Sequence, residues 1–277
     1  MIQDIGFLYN NSYKPREPQQ NDYCMFVQGR KVLVMKDCET LRYLTFGEIA
    51  QFCSKEALTY LFSIEAQAFY LADAKLLPES IFTKYAFENH NIFRTRKPKE
   101  LAFAGVTACQ LANWYHDTKF CGACGQPLQH DGKERMMRCP SCGNMHFPKI
   151  SPAVIVAVKN QDKLLVTKYA DRDYKKYALI AGFAEIGETI EETVKREVME
   201  EVGLKVTNIR YYKSQPWSFS DTLLFGFVCD VDGSDEITLD HDELAVGEWV
   251  TREEIRMEFD DISLTNEMIT QFIAGRL

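Results

Sequence analysis

Residues 182–204 read GFAEIGETIEETVKREVMEEVGL, and this run decides what the chain can fold into. From Glu191 to Glu201 the composition is helix-forming. Val194, Val198 and Val202 recur at intervals of four, one apolar stripe suited to packing against a sheet. The opposite face is acidic. Glu197 lies one helical turn from both Glu200 and Glu201, so three carboxylates converge, and like charges at that spacing repel unless a cation sits between them. A helix that offers only carboxylates suits a hard divalent cation, magnesium or manganese, which keeps several waters and bridges carboxylates to phosphates. Gly182 and Gly187 let the preceding loop bend close to phosphate, Gly203 is placed to end the helix as a C-cap, and Arg196 can brace the loop by pairing with Glu188. Most glutamate runs are solvated faces; the fixed order of glycine, glutamate and arginine around this one weighs against that reading.

The chain has 277 residues, enough for two domains, or one with smaller attachments, each with a real core. Its 46% hydrophobic and 26% charged content is that of an ordinary soluble protein. The opening MIQDIGFLYN has neither a basic n-region nor a sustained apolar h-region, so a cytoplasmic rather than secreted protein is expected. The longest apolar runs, Val154 to Val158 and Leu223 to Val228, are strand-length, and no membrane partner is expected. A net charge of -8 argues against general nucleic-acid binding, because lysine and arginine supply most of that affinity; any RNA contact must be local. The one compact basic cluster, Arg94, Arg96, Lys97 and Lys99, is interrupted by Pro98 and reads as a solvated linker.

Four of the nine cysteines form two C-x-x-C knuckles, Cys121 with Cys124 and Cys139 with Cys142. Each knuckle can present two thiolates to one tetrahedral ion. Four sulfurs close the coordination sphere, so the expected zinc is structural, one per chain. A redox pair is disfavoured because two knuckles occur together, and a disulfide set because the chain reads as cytosolic. The remaining cysteines, 24, 38, 53, 109 and 229, stand in apolar surroundings as buried free thiols.

Before residue 95, short apolar strand candidates, Tyr23 to Val27 and Lys31 to Met35, alternate with helical stretches such as Phe46 to Cys53. Leu101, Ala104, Ala108 and Leu111 give Lys99 to Tyr115 helical spacing. After the knuckles, Pro152 to Val158 and Lys163 to Lys168 read as a strand pair. Leu223 to Asp230 and Glu248 to Val250 follow as later strands, and Leu264 to Ala274 as the last helix.

Gly182, Glu188, Arg196, Glu197, Val198, Glu200, Glu201, Gly203 and Leu204 fill every defined position of the Nudix box, G-x5-E-x7-R-E-U-x-E-E-x-G-U, with U a bulky aliphatic residue. Ten residues further on, Ser214-Gln215-Pro216-Trp217-Ser218-Phe219-Ser220 resembles the SQPWPFPxS signature of the NADH pyrophosphatase family of Nudix hydrolases, some of whose members also remove NAD caps from RNA. Ser218 and Ser220 stand where that family commonly has prolines, and Asp221-Thr222 where it often has glutamine and serine, which implies a less rigid loop. The order of parts is similar too. The resemblance implies an α+β chain with an N-terminal α/β domain over 1–98, a connecting helix over 99–118, a zinc ribbon over 119–148 and a Nudix hydrolase domain, an α/β/α sandwich, over 149–277.

By the same resemblance, Glu197 and Glu201 are direct ligands of the Mg2+ or Mn2+ and Glu200 a ligand through water or a base. Glu243, in DELAVGEWV, joins the metal from a downstream loop, with Glu248 as its rival. Phe183 stacks on a purine or nicotinamide ring, Gln215 hydrogen-bonds the ligand, and Ser214 and Trp217 belong to the same substrate-binding segment, although Trp217 can equally be core. Phe147 supplies an aromatic wall from the partner subunit of a homodimer. Read without the resemblance, Phe183 and Phe147 are core residues. The implied reaction splits NAD(H) at its pyrophosphate into NMN(H) and AMP, on the free dinucleotide or on NAD-capped RNA. No nucleophilic side chain is implied, and His146 and His241 are incidental. The rivals are hydrolysis of ADP-ribose, ADP-sugars or dinucleoside polyphosphates and, outside enzymes, a zinc-ribbon regulator that binds RNA or a metabolite.

Overall fold

The computed structural model describes residues 1–36, 40–170, 177–256 and 259–277. Two compact units emerge: residues 2–149 with 218–221, and residue 1 with 150–217 and 222–277. Cys38 lies outside the described residues.

The first unit is strand-rich. A five-stranded sheet runs in the order Tyr9–Asn10, Thr59–Ile64, Gln67–Leu71, Tyr23–Met25, Leu44–Thr45, and a three-stranded one in the order Val27–Gln28, Lys31–Met35, Tyr85–Asn89. The expected helical stretch at Phe46 to Cys53 shrinks to Phe46–Ile49, started by a capping box in which Glu48 reaches back to the Thr45 N–H at 2.8 Å. Its Phe46 and Ile49 enter a core with Cys24, Phe26, Leu33 and Leu44. The helix expected from Lys99 is present as Lys99–Asp117. Gly105 sits in its middle because a Cβ there would lie 2.2 Å from the Tyr43 hydroxyl and 2.3 Å from the Phe93 ring. That close approach lets the fully buried Tyr43 donate to the Leu101 carbonyl at 2.7 Å. Gln129–His130, Met137–Arg138 and Met145–His146 then form a small antiparallel sheet carrying the knuckles.

The second unit is an α/β/α sandwich. Its six-stranded sheet has the order Val206–Trp217, Thr222–Val231, Ser151–Asn160, Lys163–Tyr169, Leu244–Thr251, with Ile180–Phe183 also paired to Ser151–Asn160. Period-two alternation along the central strand decides which helix covers which face. Val154, Val156 and Val158 meet Val194, Val198 and Val202 of helix Ile190–Val202, whereas Ile155 and Ala157 meet Leu264, Met268 and Phe272 of helix Leu264–Ile273. Each of the three helix valines is fully buried, worth about 1.5–3 kcal/mol apiece relative to exposure. The long strand Val206–Trp217 has no counterpart among the strands read from sequence. Its polar Thr207, Asn208 and Arg210, the left-handed conformation of Asn208 and two register shifts against Thr222–Val231 break the alternation that marks a strand.

Candidate active site

Thr189 caps helix Ile190–Val202: its hydroxyl accepts from the Glu192 N–H at 3.2 Å while the Glu192 carboxylate accepts from the Thr189 N–H at 2.8 Å. Gly203 ends the helix in the left-handed conformation at φ 71° and donates its N–H to the Met199 carbonyl. Between these caps the acidic face turns toward strand Ile180–Phe183. A Cβ on Gly182 would stand 1.9–2.1 Å from the Glu197 carboxylate, so the glycine is required because that carboxylate occupies the space a side chain would fill.

Arg196 organises the face. It forks onto Glu188 at 2.6 and 3.0 Å, donates to Glu197 at 2.8 Å and Glu200 at 2.9 Å, and reaches the Phe183 carbonyl at 2.8 Å. Glu188 also accepts from the Glu185 N–H and the Thr193 hydroxyl, and its pKa falls to about 2, first through the Arg196 hydrogen bond. The pairing read from sequence between Arg196 and Glu188 is therefore present, with three further partners. Glu197 moves the other way: burial raises its pKa, Arg196 opposes this, and the charges of Glu200 and Glu243 add to the rise. Glu243 thus lies close enough to act on Glu197. Its rival Glu248 accepts from the Tyr177 hydroxyl at 2.8 Å. Glu201 is buried, with both carboxylate oxygens shut off from solvent, and its backbone carbonyl accepts from the Asp240 N–H at 2.9 Å, which ties the helix end to the segment carrying Glu243.

These residues fit a hard divalent cation: the donors are carboxylate oxygens, and Gly182 leaves room for one of them at the sheet. They are not drawn together into a ligand cage. Among the described residues, only Cys121, Cys124, Cys139 and Cys142 hold their ligand atoms all within 4.8 Å of one another. There Cys121 and Cys142 sulfurs lie 3.6 Å apart and Cys124 and Cys139 sulfurs 3.5 Å, against about 3.8 Å for the edge of a tetrahedron with Zn–S bonds of about 2.3 Å. Backbone hydrogen bonds lower the Cys121 and Cys139 thiols, whereas Cys124 and Cys142, set against those sulfurs, are raised, so the four share their protons as one cluster. The other described cysteines, Cys24, Cys53, Cys109 and Cys229, are buried free thiols.

The substrate-binding expectations divide. Phe183 is 54% exposed at the end of its strand and Phe147 55% exposed in the first unit, so neither is the core residue that composition alone suggests. Ser214 and Trp217 are half-buried. Gln215 is fully buried, donating from Nε2 to the Ile262 carbonyl at 2.8 Å and accepting from the Leu264 N–H at 2.7 Å, so its amide fixes the start of the last helix. Ile186 stands fully exposed between Glu185 and Gly187. His146 hydrogen-bonds Asn144 at 3.1 Å, and His241 is exposed.

Residues 149–272 match the NUDIX domain model, and residues 116–147 match that of the NADH pyrophosphatase zinc ribbon domain. Over 165 residues the chain is 40% identical to the NAD-capped RNA hydrolase NudC of Salmonella typhi and, equally, to that of Salmonella newport (strain SL254). The matched stretch spans 60% of this chain and 60% of each relative. Among solved structures, a NUDIX hydrolase from Nitrosomonas europaea aligns with 57% of this chain and 92% of its own, at 23% identity and a TM-score of 0.49. No helix of the described residues is long and apolar enough to cross a membrane.

Proposed function

For a chain that carries a Nudix domain over 149–272 behind a zinc ribbon of the NADH pyrophosphatase type over 116–147, we propose metal-dependent hydrolysis of the pyrophosphate of NAD(H) to NMN(H) and AMP, on the free dinucleotide and on the NAD cap of RNA. The relatives at 40% identity, named as NAD-capped RNA hydrolases, support the choice of substrate. The observation that carries the chemistry is the Glu197 carboxylate seated against Gly182, one turn from Glu200 and Glu201 and within electrostatic reach of Glu243. Glu197, Glu200, Glu201 and Glu243 would hold magnesium or manganese. When bound, such ions neutralise the diphosphate and make a coordinated water acidic enough to attack phosphorus.

The chain's own residues supply the rest. Arg196 holds the Gly182–Glu188 loop against the helix through Glu188 and the Phe183 carbonyl, which fixes where the exposed Phe183 ring can stack on a purine or nicotinamide. The exposed Phe147 suits a second aromatic wall given by the partner subunit of a homodimer, and light scattering that finds only monomer removes that role. A chain whose ribbon needs four thiolates belongs in a reducing compartment, consistent with a cytoplasmic protein.

Mass-resolved product analysis tests the reading, with magnesium or manganese and with NADH, ADP-ribose, diadenosine polyphosphate and NAD-capped RNA offered separately. Preferential release of nicotinamide mononucleotide from NADH or the cap is expected, and Glu201→Gln should lower kcat by about two orders of magnitude or more while the fold persists. Preference for ADP-ribose or a dinucleoside polyphosphate overturns the substrate assignment. Near wild-type turnover by Glu201→Gln overturns the mechanism.

A further inference from the structure

A cavity of about 440 Å³ opens on the first unit, and every residue lining it belongs to 2–149. Its size falls within the roughly 300–1,000 Å³ of small-molecule sites. Phe7 comes from the N-terminal segment, Ile64, Glu65 and Phe69 from the hairpin of Thr59–Ile64 with Gln67–Leu71, and Glu100 from the first turn of helix Lys99–Asp117. Tyr23, on the strand paired to Gln67–Leu71, completes the lining.

The hairpin turn is pinned. Glu65 takes the left-handed conformation at φ 51°; its N–H donates to the Leu8 carbonyl and its carboxylate accepts from the Leu8 N–H, both at 2.8 Å. The Ala66 carbonyl accepts from Arg16 at 3.1 Å. The Tyr23 and Phe69 ring centroids stand 5.2 Å apart with Phe69 fully buried, so the aromatic floor is fixed too. Phe7, in contrast, is 51% exposed, an apolar ring available to a bound molecule.

The charge in this cavity is negative. Apart from the Tyr23 phenol, Glu65 and Glu100 are the ionisable side chains that line it; Lys97 and Lys99 flank Pro98 without lining it. Cations close by are already paired. Arg16 forks onto Asp22 at 2.7 and 2.8 Å, and Arg42 meets Glu48 at 2.9 Å. Burial raises the Tyr23 pKa, Arg42 opposes this, and Glu100 and Glu48 add to the rise, which puts Glu100 within electrostatic reach of the phenol. The N-terminus of helix Lys99–Asp117 contributes about half a positive charge, against two full carboxylates.

We propose that this cavity binds a small organic cation, an ammonium group on an aromatic or apolar body, with the charge at Glu65 and Glu100 and the body on Tyr23, Phe69 and Phe7. Carboxylates and ring faces both attract the cation, the rings take the body out of water, and an anionic ligand is refused by like charge. The site is separate from the reaction proposed for the acidic helix and does not depend on it.

Ligand-observed NMR titration of the full chain, with magnesium present, tests this with phenethylammonium, the neutral isostere phenethyl alcohol and the anion hydrocinnamate. The ammonium should bind with a Kd of roughly 1 mM, the alcohol at least about tenfold more weakly and the carboxylate not at all. Glu65→Gln, which keeps an acceptor for the Leu8 N–H, and Glu100→Gln should each weaken the ammonium about two- to fivefold, and Phe7→Ala by a similar factor. Glu201→Gln, in the acidic helix, should leave it unchanged. Equal binding of the alcohol or the anion, undiminished binding in both glutamine variants of the cavity, no saturable ammonium binding, or binding lost in Glu201→Gln each overturns the proposal. Should a cavity variant fail to fold, the ranking of the three ligands on wild type decides alone.

Discussion

The ribbon brings four sulfurs within 4.8 Å of one another, whereas the acidic helix keeps its glutamates apart and tied to an arginine. The four sulfurs suit zinc and the glutamates are those proposed to hold magnesium or manganese, and the difference lies in what carries the ligands. In each knuckle a tight turn closes back on itself, Gly125 N–H to the Cys121 carbonyl at 2.8 Å and Gly143 N–H to the Cys139 carbonyl at 3.0 Å, so the backbone sets sulfur positions through a single side-chain torsion. A glutamate has three torsions between backbone and charge, and Glu197 and Glu200 use that freedom to share one Arg196 nitrogen. The first arrangement leaves no ligand position open; the second can exchange its counter-charge for a metal and a substrate phosphate. Structure and chemistry are thereby separated along the chain.

The largest effect should come from the closed site. Cys139→Ser removes one of four ligands, and apparent zinc-binding free energies in zinc-finger peptides are about 10–16 kcal/mol, of the order of a whole domain's stability. Elemental analysis should find one zinc per wild-type chain and less in the variant, with the melting temperature falling steeply. A variant that retains full stability without zinc would break the contrast by showing that the ribbon's own packing suffices.

The open site should fail differently. Gly182→Ala places a Cβ within 2.1 Å of every carboxylate atom of Glu197 beyond its stem, so the charge must swing away from the sheet. Because that carboxylate is assigned to metal binding, kcat should fall by about a hundredfold or more, a loss of roughly 2.7 kcal/mol of transition-state stabilisation, with zinc content unchanged. Steady-state kinetics beside elemental analysis reads both. Equal activity would mean that Glu197 is not where the reaction needs it.

How far each region could be read in advance follows from the same physics. The acidic helix was legible because valines every four residues, the glycine at its end and the arginine pairing are local features that one turn of chain determines. The knuckles were legible because cysteine spacing encodes the turn. Strand Val206–Trp217 was not, since its exposed polar residues and register shifts hide the period of two. The buried bonds of Gln215 were not legible either: its partners, Ile262 and Leu264, lie 47 and 49 residues away, and only tertiary packing brings them to its amide.

Gln215 yields the next prediction. Gln215→Ala strands the Ile262 carbonyl and the Leu264 N–H in the interior, at about 1–3 kcal/mol for each unsatisfied group. Chemical denaturation should show the loss, while KM for NADH stays near wild type. A raised KM with unchanged stability would assign Gln215 to the substrate and sharpen the division between buried and half-buried residues of the 214–217 segment.

The smallest effect is a pair of opposite pH dependences within the acidic cluster. Glu188 has its pKa depressed from the ordinary 4.5 to about 2 by Arg196, so the folded state holds its proton less tightly than the unfolded chain does. Its contribution to stability is fully present above pH 4.5 and is lost as the pH falls toward 2. Glu197 has its pKa raised by burial, so its contribution is present at acid pH and is lost as the carboxyl ionises. In buffer without added divalent cation, Glu188→Gln should therefore melt below wild type at neutral pH, the gap closing on acidification. Glu197→Gln, which mimics the neutral acid, should melt at or above wild type at neutral pH and lose that advantage as the pH drops. Thermal melts across this range distinguish the two. Parallel curves would mean that Arg196 serves both carboxylates alike, leaving Glu197 no freer than Glu188 to take a metal, and the contrast with the ribbon would then rest on ligand type alone.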